Sequence, residues 1–321
     1  MAAIEWAHRR NRIGIERAEV SFVQSQLVLF QSRVKWGVLY TLATVAGLFC
    51  VPGINGFLLA DMVEEMKQNS FLPFISLLIA TGMYILNDLV DSDLDKANGK
   101  KRPIPSGRVS KSQAWVFIIW TTALAILLSV LTFNVVTMVL IVPMITIGIL
   151  YSAPRIALAN RFVIKTLSIA FFYMLCATLG ITSNYGLELI ASNPVVPLHA
   201  IAMFGTMIFV SSVFNDLGDV EGDRASGRRT IPIVIGKRNT VKMSMILIAG
   251  MSVASWTMYA AGGIGLVTTL LTSMFSVLVA ARMVMTLKGL DNTEFIRRQH
   301  KKIFPLHMVL QSNLAIGTIL L

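Results

Sequence analysis

Asn87-Asp88-Leu89-Val90-Asp91-Ser92-Asp93-Leu94-Asp95, followed by Lys100-Lys101-Arg102-Pro103-Ile104-Pro105-Ser106-Gly107-Arg108, decides how this chain is read. The stretch comes directly after an apolar run, Phe71 to Leu86. Four carboxylates within eight residues repel one another unless positive charge lies between them. If Asn87 continues the preceding helix, Asn87, Asp91 and Asp95 are spaced four apart and share one face. Such a face offers oxygen ligands to a hard cation, most simply Mg2+.

The pattern occurs twice. Asn215-Asp216-Leu217-Gly218-Asp219-Val220-Glu221-Gly222-Asp223-Arg224 aligns with Asn87 to Lys96 at a constant offset of 128 (215 − 87). A basic segment follows again, Arg228-Arg229-Thr230-Ile231-Pro232. Eight of the 17 acidic residues therefore sit in two short copies of one pattern, which a merely solvated helix end does not explain. A calcium loop is the competing reading of Asp91-x-Asp93-x-Asp95. It fails because Lys96 stands where the turn needs Gly, and Arg102 where the bidentate Glu belongs.

Composition places both copies in a membrane protein. The chain has 321 residues, 55% hydrophobic and 14% charged, with mean hydropathy +0.69. Cys50 and Cys176 lie in apolar runs and give neither a disulfide framework nor a zinc site. No apolar core follows Arg9, Arg10, Arg12 and Arg17 at signal-peptide distance. Ile15 to Ser32 reads as an amphipathic helix, lying on the membrane surface or packed on the bundle. Residues 1–35 thus form a basic, amphipathic segment, and 36–321 the membrane domain.

Runs of ~20 apolar residues are needed to span a bilayer. Nine candidates occur: Trp36–Ala60, Phe71–Asn87, Gln113–Phe133, Val135–Tyr151, Phe162–Thr182, Val195–Phe214, Thr240–Ala260, Ile264–Leu287 and Ile303–Leu321. The third and fourth are parted only at Phe133-Asn134, which predicts a tight helical hairpin. On this map 27 of the 28 lysines and arginines fall on the N-terminal side, with Lys67 alone opposite. The positive-inside rule makes that side cytoplasmic, with both acidic copies on it. The same distribution accounts for most of the net charge of +11 without nucleic acid. The expected fold is all-α, a polytopic bundle of about nine helices around a central cavity, with a parallel internal repeat.

Two facing carboxylate clusters bind an anion only through a metal. With Mg2+ between them they hold a diphosphate. Lys100, Lys101, Arg102, Arg228 and Arg229 are candidates to complete the charge around the leaving group, against a reading as positive-inside decoration. Arg102 and Arg229 hold matching places after the two copies. Arg33 or Lys35, before the first span, also lies within reach of such a head group. A diphosphate at the surface with a hydrocarbon tail below is a polyprenyl diphosphate. Its loss leaves an allylic cation that aromatic faces stabilise. Tyr84 and Tyr151 are the candidates, although Tyr84 reads slightly better as an interface-belt tyrosine.

These motifs resemble the UbiA superfamily of intramembrane prenyltransferases. The resemblance rests on Asn87-Asp88-x-x-Asp91-x-x-x-Asp95, Arg102-Pro103-Ile104-Pro105-Ser106-Gly107, Tyr151-Ser152-Ala153-Pro154 and Asp216-x-x-Asp219-x-x-x-Asp223. It implies a nine-helix bundle, two Mg2+ ions and transfer of a prenyl chain from its diphosphate. It implies metal ligation by Asn87, Asp88, Asp91, Asp95, Asn215, Asp216, Asp219 and Asp223, with Asp91 and Asp219 at the catalytic centre. Where the family often carries Tyr-x-x-x-Lys, this chain has Tyr151-x-x-x-Arg155. Arg155 keeps the charge for diphosphate binding, and Lys165 is the candidate for a titratable lysine. Within the family, the run Asn87 to Arg108 looks most like the archaeal ether-lipid branch, the digeranylgeranylglyceryl phosphate synthases. That implies a geranylgeranylglyceryl phosphate acceptor. Prenylation of a quinone- or chlorophyll-type aromatic is the alternative, and a lipid-diphosphate carrier that cleaves no bond is an alternative of another class.

Overall fold

The computed structural model describes residues 21–49, 59–97, 101–184, 191 and 194–319. The described residues form helices and no strand. In order these are α1 (Phe22–Leu48), α2 (Leu59–Gln68), α3 (Phe71–Val90), α4 (Ser92–Ala97), α5 (Lys111–Leu131), α6 (Val135–Ser152) and α7 (Phe162–Asn184). Then come α8 (Val195–Leu217), α9 (Val220–Ala225), α10 (Ile231–Ile235), α11 (Lys237–Ala260), α12 (Leu266–Leu287) and α13 (Thr293–Ile319).

Seven of these, α3, α5, α6, α7, α8, α11 and α12, are long and apolar enough to cross a membrane. The helices α1 and α13 take the places of the first and ninth expected spans. Each is 27 residues long, but each begins with a polar or charged stretch. By length and composition the described count is therefore seven, not nine. The first expected span also ends early, at Leu48, and Leu59 and Ala60 belong to α2.

Helix α1 runs unbroken across residue 35. Its first part is packed on the bundle: Leu29 is fully buried, Gln26 Nε2 donates to Gln113 O at 3.1 Å, and Trp120 Nε1 donates to Gln26 Oε1 at 2.9 Å. Residues 15–20 of the expected amphipathic helix, and Cys50, lie outside the described residues. Between α5 and α6 the tight hairpin forms as expected. Phe133 takes a left-handed φ of 51°, and Asn134 caps α6 by accepting from the N–H groups of Val136 and Thr137.

The interior is two cores joined by one helix. On α8, Ala200, Phe204 and Ile208 recur every four residues and join the core that α1, α3, α5, α6 and α7 build. On its other side Met203, Met207, Val210 and Phe214 face α11, α12 and α13. A helix apolar all round is what such a central place demands. The offset of 128 extends to whole helices. Shifted by it, α4 gives 220–225, the bounds of α9; α5 gives 239–259 against α11 at 237–260; and α7 gives 290–312 against α13 at 293–319.

Helices α1 and α7 cross at glycines. A Cβ on Gly180 would lie 2.0 Å from Thr44 O, and one on Gly47 would lie 2.3 Å from Ala177 O. Without a hydrophobic drive between helices in lipid, such close backbone contact supplies the association. Gly180→Ala is expected to destabilise the protein by about 1–3 kcal/mol. Thermal denaturation in detergent checks this, and an unchanged midpoint would show that the crossing relaxes freely.

Candidate active site

Both acidic copies sit where a long helix breaks into a short one. Helix α3 carries Asn87 and Asp88 in its last turn, Asp91 caps it, and α4 carries Asp95. The backbone still follows a helical path, since Asp91 N–H donates to Asn87 O at 2.9 Å and Asp95 N–H to Asp91 O at 2.8 Å. The second copy repeats this with α8, Gly218-Asp219 and α9. Asp223 N–H donates to Asp219 O at 2.9 Å.

The two copies meet. Arg228 Nη2 donates to Asp91 Oδ2 at 2.5 Å, while its Nη1 lies 4.0 Å from Asp223 Oδ1. Burial pulls the pKa of Arg228 down, Asp91 and then Asp223 pull it up, and the net shift is upward. Lys165 Nζ donates to Asp216 Oδ1 at 2.5 Å, and both groups are buried. Arg33 holds Asp88, with Nε donating to Oδ2 at 2.6 Å. Arg102 spans Asp88 and Asp95 at 2.7 and 2.5 Å. Asn87 Nδ2 donates to Asp91 Oδ2 at 3.3 Å. Each acid pattern is thus threaded with basic side chains, as the repulsion among like charges requires.

Other expected residues lie elsewhere. Asn215, Lys101, Arg155 and Arg229 are exposed. Arg228, not Arg229, takes the place between the copies, because the loop after α9 leaves Arg229 with only its N–H turned inward, to Asn160 O at 3.4 Å. Lys100 lies outside the described residues. Sequence reasoning also missed Arg297, whose Nη2 donates to Asp219 Oδ1 at 2.8 Å. Its only sequence signal was a place in the basic run 297–302.

A cavity opens beneath Asn87. It encloses about 550 Å³ of empty space, open solvent included, and is walled by Tyr40, Ala80, Met83, Tyr84, Asn87, Ile147, Gly148, Tyr151, Ser168, Ile169 and Phe172. Its wall is apolar and aromatic except at the motif end. Tyr84 belongs to this wall and not to an interface belt: its hydroxyl meets that of Tyr40 at 3.4 Å, and the Arg33 guanidinium stands 5.7 Å from its ring centre. Gly148 leaves room for Met83, whose Cγ would be 2.3 Å from an added Cβ. The arrangement joins a head of interleaved acidic and basic side chains to an apolar slot.

A model of the UbiA prenyltransferase family matches residues 46–300. This chain belongs to the UbiA prenyltransferase family. It is accordingly an integral membrane enzyme that transfers prenyl groups. Among curated relatives of this UbiA chain, the digeranylgeranylglyceryl phosphate synthase of Natronomonas pharaonis is 32% identical over 54% of this chain and 60% of its own length. That of Methanothermobacter thermautotrophicus is 30% identical over 74% of this chain and 81% of its own length. A solved structure described as digeranylgeranylglyceryl phosphate synthase in membranes superposes with a TM-score of 0.68 at 19% identity, covering 94% of this chain and 99% of that one. A UbiA homolog from Archaeoglobus fulgidus, bound to DMAPP and Mg2+, superposes with a TM-score of 0.65 at 17% identity, covering 92% and 99%. These two likenesses establish the shared fold.

Mg2+ in that homolog raises the question whether this UbiA site suits a divalent ion. Among the described residues, no three His, Cys, Asp or Glu side chains converge to hold a metal. The donor chemistry nonetheless fits. Asp216 Oδ2 is buried with no hydrogen-bond partner, and Asp91 and Asp223 converge on one guanidinium from opposite copies. Hard oxygen donors of this kind are what Mg2+ takes. Asp88 is paired with Arg33 and Arg102, and Asp95 with Arg102.

Proposed function

We propose that this UbiA chain moves a geranylgeranyl group from its diphosphate to the hydroxyl of geranylgeranylglyceryl phosphate, at the cytoplasmic mouth of a cell-membrane bundle. The convergence of Asp91 and Asp223 on Arg228 carries the reading, because it puts both acidic copies at one mouth above an apolar cavity. The relatives named as synthases of this kind support the choice of acceptor.

Asn87, Asp91, Asp216, Asp219 and Asp223 would hold Mg2+, and the chemistry it would supply there is positive charge to offset that of the diphosphate. Arg228 and Lys165 flank that place and bring fixed positive charge to the same oxygens. The cavity takes the donor's chain and keeps water from the reacting carbon. Tyr84 and Tyr151 turn aromatic rings toward the space below the head group, where an allylic cation forms. The carbon–oxygen bond to the diphosphate breaks with its electron pair leaving on oxygen. The acceptor's hydroxyl oxygen forms the new ether bond, and its proton is taken up by the departing diphosphate.

An acceptor panel with one labelled donor tests the reading. Product is expected with geranylgeranylglyceryl phosphate, lost on chelation with EDTA and restored by Mg2+. Product with aromatic acceptors only would overturn the acceptor. Binding of the donor without diphosphate release would make the protein a carrier.

A further inference from the structure

We propose that Arg297, with His300 one turn further along α13, binds the phosphate of the lipid acceptor; the proposal rests on the acceptor reading above. Among the described residues, four of the cations paired with motif carboxylates are committed. Arg33, Arg102 and Lys165 hold carboxylates that are 1–2% exposed, and Arg228 joins the two copies. Arg297 differs. It is 59% exposed and its partner Asp219 is 44% exposed, so their ion pair contributes little and opens readily.

The duplication does not call for Arg297. Its counterpart at the offset of 128 is Ile169, an apolar wall residue of the cavity (297 − 128). The motif has changed to admit it: Gly218 stands where the first copy has Val90, and a Cβ there would lie 2.9 Å from Arg297 Cγ. The side chain therefore lies flat across the break between α8 and α9. His300, three residues on and thus on the same face, meets Ser211 of α8 through Nε2 at 3.4 Å.

Position separates this cation from the donor. Every residue lining the cavity comes from α1, α3, α6 or α7, and Arg297 comes from α13. It flanks the second acidic copy from a helix that contributes nothing to the cavity wall. The acceptor's phosphate and reacting hydroxyl lie within two carbons of each other on one glycerol. Its phosphate must then dock within a few ångströms of the acidic centre, where Arg297 stands beside Asp219. A planar guanidinium suits that group.

The test uses the full chain in lipid nanodiscs, with geranylgeranylglyceryl phosphate and its phosphate-free alcohol as paired acceptors. Arg297→Gln is expected to raise the KM for the phosphate lipid at least tenfold and leave the KM for geranylgeranyl diphosphate within twofold. Turnover of the alcohol should not change. Equilibrium binding of the phosphate lipid without donor or Mg2+ should weaken at least tenfold, and Arg297→Lys should recover part of it. An equal loss with both acceptors would place the effect on Asp219 and overturn the proposal, as would a shift in the donor's KM. If the unaltered enzyme ignores the phosphate lipid and accepts an aromatic, the acceptor reading falls and this one with it. If it uses the phosphate lipid and Arg297→Gln does not discriminate, this one falls alone.

Discussion

Asp91→Ala abolishes turnover while the bundle stays folded: a fall in kcat of about 10²–10³-fold or more is expected, the scale for losing one preorganised electrostatic contact. Asp91 is the point at which the first copy reaches the second, through Arg228 at 2.5 Å. Without it Arg228 keeps only Asp223, at 4.0 Å, and the two halves of the mouth lose their shared charge. The fold is expected not to depend on this contact, because Asp91 lies at a helix end and is partly exposed. Asp219→Ala should behave alike, since its side chain pairs with the exposed Arg297. The check is kcat with labelled donor beside circular dichroism of the same preparation. Activity within threefold of the unaltered protein in either variant would remove the two-copy mechanism.

Lys165→Ala should cost stability as well as activity. Lys165 and Asp216 form a buried pair, and Asp216 Oδ2 already has no hydrogen-bond partner. Removing the ammonium leaves a carboxylate uncompensated, which costs about 3–5 kcal/mol. The double replacement Lys165→Met with Asp216→Leu removes both charges and should return most of that stability, because desolvating a buried pair offsets most of its attraction. Turnover should not return. Unfolding midpoints of the two variants, read beside product formation, separate the contributions. A single variant as stable as the parent would mean that water already reaches Asp216.

Much of this was legible in the chain. The repeated acid pattern, its offset and the hairpin at Phe133-Asn134 follow from spacing alone, because like charges and apolar periods constrain their neighbours along one helix. The span count was less legible. Helices α1 and α13 fall short of a full apolar span because each begins with polar or charged residues, and on α1 some of these pack on the bundle, as the Gln26–Trp120 contact shows. Tyr84 was misread for a related reason: a tyrosine near a helix end looks the same whether it faces lipid or a cavity. Arg228 and Arg229 are adjacent in sequence, and only the turn after α9 determines which of them faces inward.

By itself the sequence determined that this is an all-helical membrane protein with two acidic motifs at one end of its spans. Composition and periodicity are properties of single segments, and they suffice for that. Only the tertiary structure decided which cation holds which carboxylate: Arg33 and Arg102 on Asp88, Lys165 on Asp216, Arg228 on Asp91 and Arg297 on Asp219. Those pairings depend on how each helix is rotated about its axis against a partner up to 137 residues away. Rotation is set by packing across helices, such as the glycine crossing of α1 and α7, and no local pattern encodes it.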